Sequence, residues 1–93
     1  MSKQKTDSQP LPKWFDGFVL KSNETIANRF TGEKIELNPN EVAMYDTIMG
    51  AEFLASRYND PFSKEAQKFY DIVRKGCSWF RRYNARAYMV LLD

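Results

Sequence analysis

A long helix is predicted by the stretch NPNEVAMYDTIMGAEFLASRY, residues 38–58. Asn38 is a favourable N-cap, Pro39 fits the first helical position, and Glu41 stands where a capping box places its acidic residue. The apolar residues that follow recur at steps of three and four, as one helix face requires. They are Val42, Tyr45, Ile48, Met49 and Phe53. Gly50 costs about 0.5–1 kcal/mol relative to Ala inside a helix, which favours close approach of a neighbouring element there.

A second helix is expected after the break at residues 59–61, and it would run to about Tyr83. Asp60, with Pro61 at the first helical position, and Ser63 are alternative N-caps. The apolar stripe of this helix is Phe62, Ala66, Phe69, Val73, Cys77 and Phe80. Asn84 either ends the helix or caps a short final helix over residues 85–92, which are too apolar to remain unpacked.

Short β-structure is predicted ahead of the helices. Residues 18–21 and 25–27 flank a turn-prone Ser22-Asn23 pair, which is typical of a hairpin. Residues 34–37 alternate polar and apolar side chains and would form a third strand, after a turn in which Gly32 can take a positive φ. Residues 1–12 are polar and end in a Pro-x-Pro spacing, so we expect a disordered tail followed by a single domain over residues 13–93.

These elements together predict an α+β fold that is mainly helical. A short N-terminal β-hairpin precedes two long antiparallel helices and a short C-terminal helix, with a winged-helix-like arrangement as one option. Two helices and a hairpin leave little thickness to cover both apolar faces, so we also expect a homodimer.

The composition excludes the commoner catalytic and metal sites. The 93 residues contain no His, one Cys and four Gly. Without His there is no Ser-His-Asp or Cys-His pair, and one Cys makes neither an intramolecular disulfide nor a Cys-rich zinc site. No glycine stands in a phosphate-binding loop motif. We therefore expect a protein that is not an enzyme and uses no cofactor or metal.

Membrane and secretion signals are also lacking in the sequence. No apolar run approaches the roughly 18 residues of a bilayer span, and no apolar segment follows the polar N-terminus as in a secretory signal. A cytoplasmic protein that does not cross a membrane is the expectation.

The net charge of +2 conceals an uneven distribution along the chain. Residues 1–13 carry +2, residues 14–60 carry −4, and residues 61–93 carry +4. Five basic residues and no acidic residue occur from Arg74 to Tyr88. This asymmetry suggests an anionic partner for the C-terminal part or head-to-tail self-complementarity, and the plain alternative is a solvated helix face.

The candidate site lies on the second helix, where basic residues border the apolar stripe. On a helical wheel, one border holds Lys64, Lys68, Lys75 and Arg82 with Trp79 beside them, and the other holds Arg74 and Arg81. Arg86 follows shortly after this helix. Lys and Arg neutralise phosphates, and an indole offers a stacking surface for bases, so this pattern favours nucleic-acid binding. Ordinary amphipathic helices also place Lys and Arg at these borders.

Two further residues admit functional interpretations that we rank below structural ones. Glu52 falls on the predicted apolar face of the first helix, where a structural ion pair with an Arg or a contact at an oligomer interface is favoured over acid–base catalysis. Cys77 falls on the apolar stripe and is expected to be a small buried side chain, although Arg74 and Arg81 could activate its thiol.

Two stretches carry a resemblance: FTGEKIELNPNEVAMYD, residues 30–46, and RKGCSWFRRYNARAYMVLLD, residues 74–93. They resemble small uncharacterised proteins of marine tailed bacteriophages, cyanophages among them, and of ocean environmental sequences. The resemblance covers about residues 14–93 and identifies no functional residues. It implies a viral or environmental origin and expression in a bacterial cytoplasm.

The sequence therefore predicts a small binding protein that contacts DNA or RNA through its basic C-terminal helix. The predicted contacts are Lys64, Lys68, Arg74, Lys75, Trp79, Arg81, Arg82 and Arg86. The alternative is a protein-interaction or assembly module, a phage accessory protein or a homo-oligomer, whose basic half docks an acidic protein surface and contacts no nucleic acid.

Overall fold

The computed structural model describes residues 10–93, so residues 1–9 of the predicted tail lie outside the described part. The strands are β1 (Glu24–Ala27) and β2 (Lys34–Leu37), and the long helices are α1 (Pro39–Ala55) and α2 (Lys64–Tyr83). A short helix α3 (Ala85–Ala87) continues into a π-helical turn over Tyr88–Leu92. The predicted fold class is confirmed: a hairpin is followed by two long helices and a short C-terminal helix.

The hairpin pairs different segments from those the sequence suggested. β1 and β2 are antiparallel, with Ile26 opposite Ile35, whereas residues 18–21 form no strand. The turn between the strands explains this choice. Asn28 accepts hydrogen bonds at Oδ1 from the backbone N–H groups of Phe30 and Thr31, and Gly32 takes a φ of 80° that favours glycine.

Helix α1 begins as the sequence predicts. Asn38 Oδ1 accepts from the Glu41 N–H at 2.9 Å, and Glu41 Oε1 accepts from the Asn38 N–H at 3.0 Å, which completes the capping box. Glu41 also accepts at Oε2 from Asn84 Nδ2 at 2.8 Å, so the start of α1 is tied to the end of α2. The helix ends at Ala55 rather than near Tyr58, with Ser56 as its C-cap.

The two long helices pack antiparallel, and Gly76 lies in the contact between them. A Cβ at Gly76 would collide with Ile48 Cγ1 and would stand 2.7 Å from Ile48 Cδ1 and 3.5 Å from Met44 Sδ. The prediction of a close approach at Gly50 is wrong, because Gly50 is exposed and a Cβ there would meet nothing within 4 Å. Phe53 is likewise 61% exposed rather than part of the core. The buried face of α1 runs instead through Met44, Ile48, Ala51 and Ala55.

Local hydrogen bonds decide both ends of α2. Ser63 is the N-cap and accepts from the Ala66 N–H at 3.1 Å, which leaves Phe62 outside the helix and 83% exposed. Asn84 both ends α2 and caps α3, where it accepts at Oδ1 from the Ala87 N–H. The C-terminal turn packs through Val90 and Leu91 onto the core.

The N-terminal segment packs against the helices from residue 10 onward. Leu11, Trp14 and Phe15 contact the hydrophobic core, and Trp79 Nε1 donates to the Pro10 carbonyl oxygen at 2.8 Å. Residues 10–12, which the sequence assigned to the tail, therefore contact the folded domain. No helix within residues 10–93 has both the length and the apolar composition needed to span a bilayer.

Candidate nucleic-acid interface

A cleft forms where the N-terminal segment lies against the C-terminal half of α2. Its volume is about 730 Å³. Pro12 and Trp14 line it from the N-terminal segment, and α2 supplies the rest. Four of the lining residues are basic, namely Arg74, Lys75, Arg81 and Arg82, and no acidic side chain is among the described residues that line it. The cleft therefore combines positive charge with apolar and aromatic surface.

The aromatic part of the cleft comes from Trp14, Trp79 and Tyr83. Trp79 is only 6% exposed, packs edge-on against Phe80 with ring centroids 5.1 Å apart, and donates its indole N–H to Pro10. This geometry makes Trp79 a core residue at the base of the cleft, so its ring offers little surface for stacking.

Trp14 is the half-buried indole at the cleft, and the sequence-based site did not include it. The sequence signal for it is the adjacent Trp14-Phe15 pair, which follows the Pro-x-Pro spacing. The Lys75 ammonium lies 6.0 Å from the Trp14 ring centroid, within the range of a cation–π contact.

Arg74 and Lys75 share one acidic neighbour on the same helix. Asp71 contacts Lys75 Nζ at 3.1 Å and Arg74 at 3.4 Å, and all three side chains are about half exposed. The hydrogen bond from Lys75 lowers the pKa of the Asp71 carboxyl, and the charge of Arg74 acts in the same direction. Exposed pairs of this kind contribute little to stability, so an anionic ligand could compete for both cations.

Arg81 and Arg82 are held by aromatic side chains. Arg81 donates to Tyr88 Oη at 3.0 Å and to Ser78 Oγ at 3.1 Å, and its guanidinium lies 4.9 Å from the Tyr88 ring centroid. Arg82 lies 5.6 Å from the ring centroid of Tyr83. Neither guanidinium forms a salt bridge with an acidic side chain of residues 10–93.

The other predicted contacts fall into two places. Lys64 and Lys68 are exposed and line a shallow groove with Asp71 and Arg74, so Arg74 joins this groove to the cleft. Arg86 lies in a separate depression with Glu33, Met89 and Val90. Seven of the eight predicted residues thus line two depressions that share Arg74, and Arg86 does not join them.

Another depression holds Glu52 and Cys77 between α1, α2 and the C-terminal turn. Glu52 is exposed and forms no salt bridge within residues 10–93, so the structure shows no ion pair of the kind the sequence favoured. Burial raises the pKa of the Cys77 thiol, and Glu52 adds to the increase while Arg81 opposes it. A raised pKa keeps the thiol protonated and weakly nucleophilic near neutral pH.

No three His, Cys, Asp or Glu side chains come together as a metal site within the part of the chain that the structure describes. Comparison with protein-family models, with curated proteins and with solved structures finds no match for this chain. The winged-helix-like arrangement therefore stays a prediction.

Proposed function

We propose that this protein is a non-enzymatic nucleic-acid-binding protein that uses the basic face of α2. The observation that carries the proposal is the cleft in which Arg74, Lys75, Arg81 and Arg82 surround aromatic side chains. Cations supply the sequence-independent attraction for phosphates, and aromatic rings supply contacts with bases.

The charge balance around the cleft supports this proposal over a plain solvated face. Among residues 10–93, Asp71 is the acidic residue that forms salt bridges with basic residues of α2. Its two partners are Arg74 and Lys75. Lys64, Lys68 and Arg82 form no salt bridge with another described residue. A ligand with several phosphates could therefore contact these cations without first breaking ion pairs.

Salt dependence of binding tests the proposal. A protein that neutralises phosphates releases counterions, so the logarithm of the affinity falls linearly with the logarithm of the salt concentration. Four phosphate contacts would give a slope of about −2.8 on a single strand or about −3.6 on a duplex. Fluorescence anisotropy with labelled oligonucleotides between about 50 and 200 mM salt measures it. Absence of binding at the lower salt, with a helical circular dichroism spectrum, would contradict the proposal.

The second candidate function is assembly through an apolar surface at the α1–α2 connection. Phe53 is 61% exposed and Phe62 is 83% exposed, and Leu54 and Tyr58 are also exposed. Clusters of exposed large apolar side chains commonly mark interaction surfaces. We propose a homodimer that covers these residues. Sedimentation tests it: wild type should dimerise at high micromolar concentration, and Phe53→Ser with Phe62→Ser should remain monomeric. A monomeric wild type would exclude this candidate.

The resemblance to proteins of marine tailed phages supports placing either activity in a phage accessory protein that acts in a bacterial cytoplasm. Expression from a phage-like genome in infected cells, followed by fractionation, would test that placement.

A further inference from the structure

We propose that the cleft beside Trp14 binds an unpaired nucleobase, so that this protein selects single-stranded over duplex nucleic acid. This inference rests on the proposed function and names the form of nucleic acid that the site takes. The base would stack on the Trp14 ring, and the neighbouring phosphates would contact Arg74, Lys75 and Arg82.

Trp14 is positioned by contacts on both sides of it in the chain. Before it, the Pro10 carbonyl oxygen accepts from Trp79 Nε1 at 2.8 Å, and Leu11 packs on the core. After it, the Phe15 N–H donates to the Pro12 carbonyl oxygen at 3.0 Å, and the Phe15 ring packs against the core. The Trp14 and Phe15 rings meet edge-on with centroids 6.5 Å apart. An indole held in this way needs little further ordering when a base stacks on it.

The backbone at Gly17 helps to hold the Phe15 ring in place. A Cβ at Gly17 would stand 2.8 Å from Phe15 Cζ and 2.9 Å from Thr47 Oγ1 of α1. The absence of a side chain at Gly17 therefore lets Phe15 lie close to the backbone and beside α1. The Trp14 indole is thus anchored to both long helices through its neighbours.

Charge and ring are placed together as a nucleotide requires. Lys75 Nζ lies 6.0 Å from the Trp14 ring centroid, and the Arg82 guanidinium lies 5.6 Å from that of Tyr83. A nucleotide consists of a flat base and an anionic phosphate joined by a sugar, so a ring with a cation beside it matches both parts. The cleft volume of about 730 Å³ lies within the range of roughly 300–1,000 Å³ that is usual for small-ligand sites.

A duplex would use only half of this arrangement. Bases inside a duplex are covered on both faces by their neighbours, so a duplex offers phosphates to the cations and no free base face to Trp14. An unpaired strand offers both, and stacking on an aromatic ring tolerates any base because every base has a π-face. The geometry therefore favours single strands without sequence preference.

The test compares an unpaired oligonucleotide, a blunt-ended duplex of two complementary strands and an oligonucleotide with abasic positions at one salt concentration. Wild type should bind the unpaired strand most tightly, and removal of bases should weaken binding although all phosphates remain. Trp14→Ala should weaken binding of the unpaired strand about 5- to 150-fold, as expected for loss of one stacked base. Trp14→Phe, which keeps a ring, should retain most of the affinity, and duplex binding should be unchanged in both variants.

The outcomes separate this proposal from the proposed function. Equal, salt-dependent binding of the unpaired, abasic and duplex forms would overturn base selection while leaving phosphate binding intact. A Trp14→Ala variant that weakens binding of every form equally would also overturn it. If wild type binds none of the three at low salt, the proposed function fails as well. The abasic comparison needs no variant, so it remains decisive if Trp14→Ala does not fold.

Discussion

The indole N–H of Trp79 donates a 2.8 Å hydrogen bond to the carbonyl oxygen of Pro10, across 69 positions of sequence. This hydrogen bond holds the N-terminal segment against α2, and the segment forms one side of the basic cleft. The segment also covers the Trp79 ring, which the sequence suggested for base stacking. The contact therefore removes Trp79 from the exposed surface and brings Trp14 to the cleft in its place.

Truncation of Trp79 is expected to act on stability. Trp79→Ala removes a ring that is 6% exposed, and such substitutions cost about 3–5 kcal/mol of unfolding free energy. Trp79→Phe keeps most of the packing and should cost less, although it leaves the Pro10 carbonyl without this donor. Chemical denaturation of both variants measures the difference. Loss of nucleic-acid binding in Trp79→Ala with unchanged stability would contradict the placement of this ring.

The two glycines of the long helices should respond oppositely to alanine. Gly50→Ala adds a methyl group in open space and should stabilise α1 by about 0.5–1 kcal/mol. Gly76→Ala places a Cβ 2.7 Å from Ile48 Cδ1, and overpacking of this kind costs about 1–3 kcal/mol. Ile48→Ala removes both Cγ1 and Cδ1, so it should cost less stability in the Gly76→Ala background than in wild type. Thermal unfolding compares the variants, and equal effects at both glycines would contradict the helix contact.

Removal of the Asp71 carboxylate should strengthen nucleic-acid binding. Asp71→Asn releases Arg74 and Lys75 from their ion pairs, and because exposed pairs of this kind are weak, the affinity should rise by up to about fivefold. The pKa of Asp71 is lowered from 3.8, so the wild-type carboxylate stays charged from neutral pH down to this value. The gain should therefore be constant between about pH 8 and pH 5 in anisotropy titrations. Unchanged or weaker binding would show that these cations do not contact the ligand.

Arg82 and Arg86 form a matched pair for the salt measurement. Arg82 lines the cleft, whereas Arg86 lies in a separate depression with Glu33. Arg82→Ala should flatten the salt slope on a single strand by about 0.7, the value of one phosphate contact. Arg86→Ala should leave the slope unchanged. A loss of slope with Arg86→Ala would extend the binding surface beyond the cleft.

The alkylation rate of the Cys77 thiol should depend on the charges of Glu52 and Arg81. Burial raises its pKa above 9.0, so alkylation by iodoacetamide should still accelerate as the pH rises through 9.0. Glu52→Gln removes a charge that raises this pKa and should accelerate alkylation at mildly alkaline pH. Arg81→Gln removes a charge that lowers the pKa and should slow it. Mass spectrometry of timed samples gives the rates, and identical rates in all three proteins would contradict these couplings.

Features that depend on neighbours in the chain could be predicted from the sequence alone. The capping box of Asn38 and Glu41 closes within four residues, and the helical spacing of α2 places its basic residues along one helix. The predicted hairpin had the wrong partner for residues 25–27. Both Ser22-Asn23 and Asn28–Glu33 have turn-forming sequences, and local preference alone does not decide between two such turns. The turn at Asn28–Glu33 is also stabilised by a tertiary contact, because Asn28 Nδ2 donates a hydrogen bond to the Val90 carbonyl oxygen at 2.8 Å.

Only the tertiary structure decided which tryptophan ring is buried and which glycine packs against the other helix. The local sequence does not distinguish Trp14 from Trp79. Which of the two rings is buried depends on where residues 10–15 cross α2, and that contact joins segments far apart in the sequence. The same holds for Gly50 and Gly76, because the point of closest approach depends on how two helices cross. Helical periodicity specifies the angle of a side chain around its own axis. What lies opposite that side chain is specified by packing, which optimises all contacts of the core together.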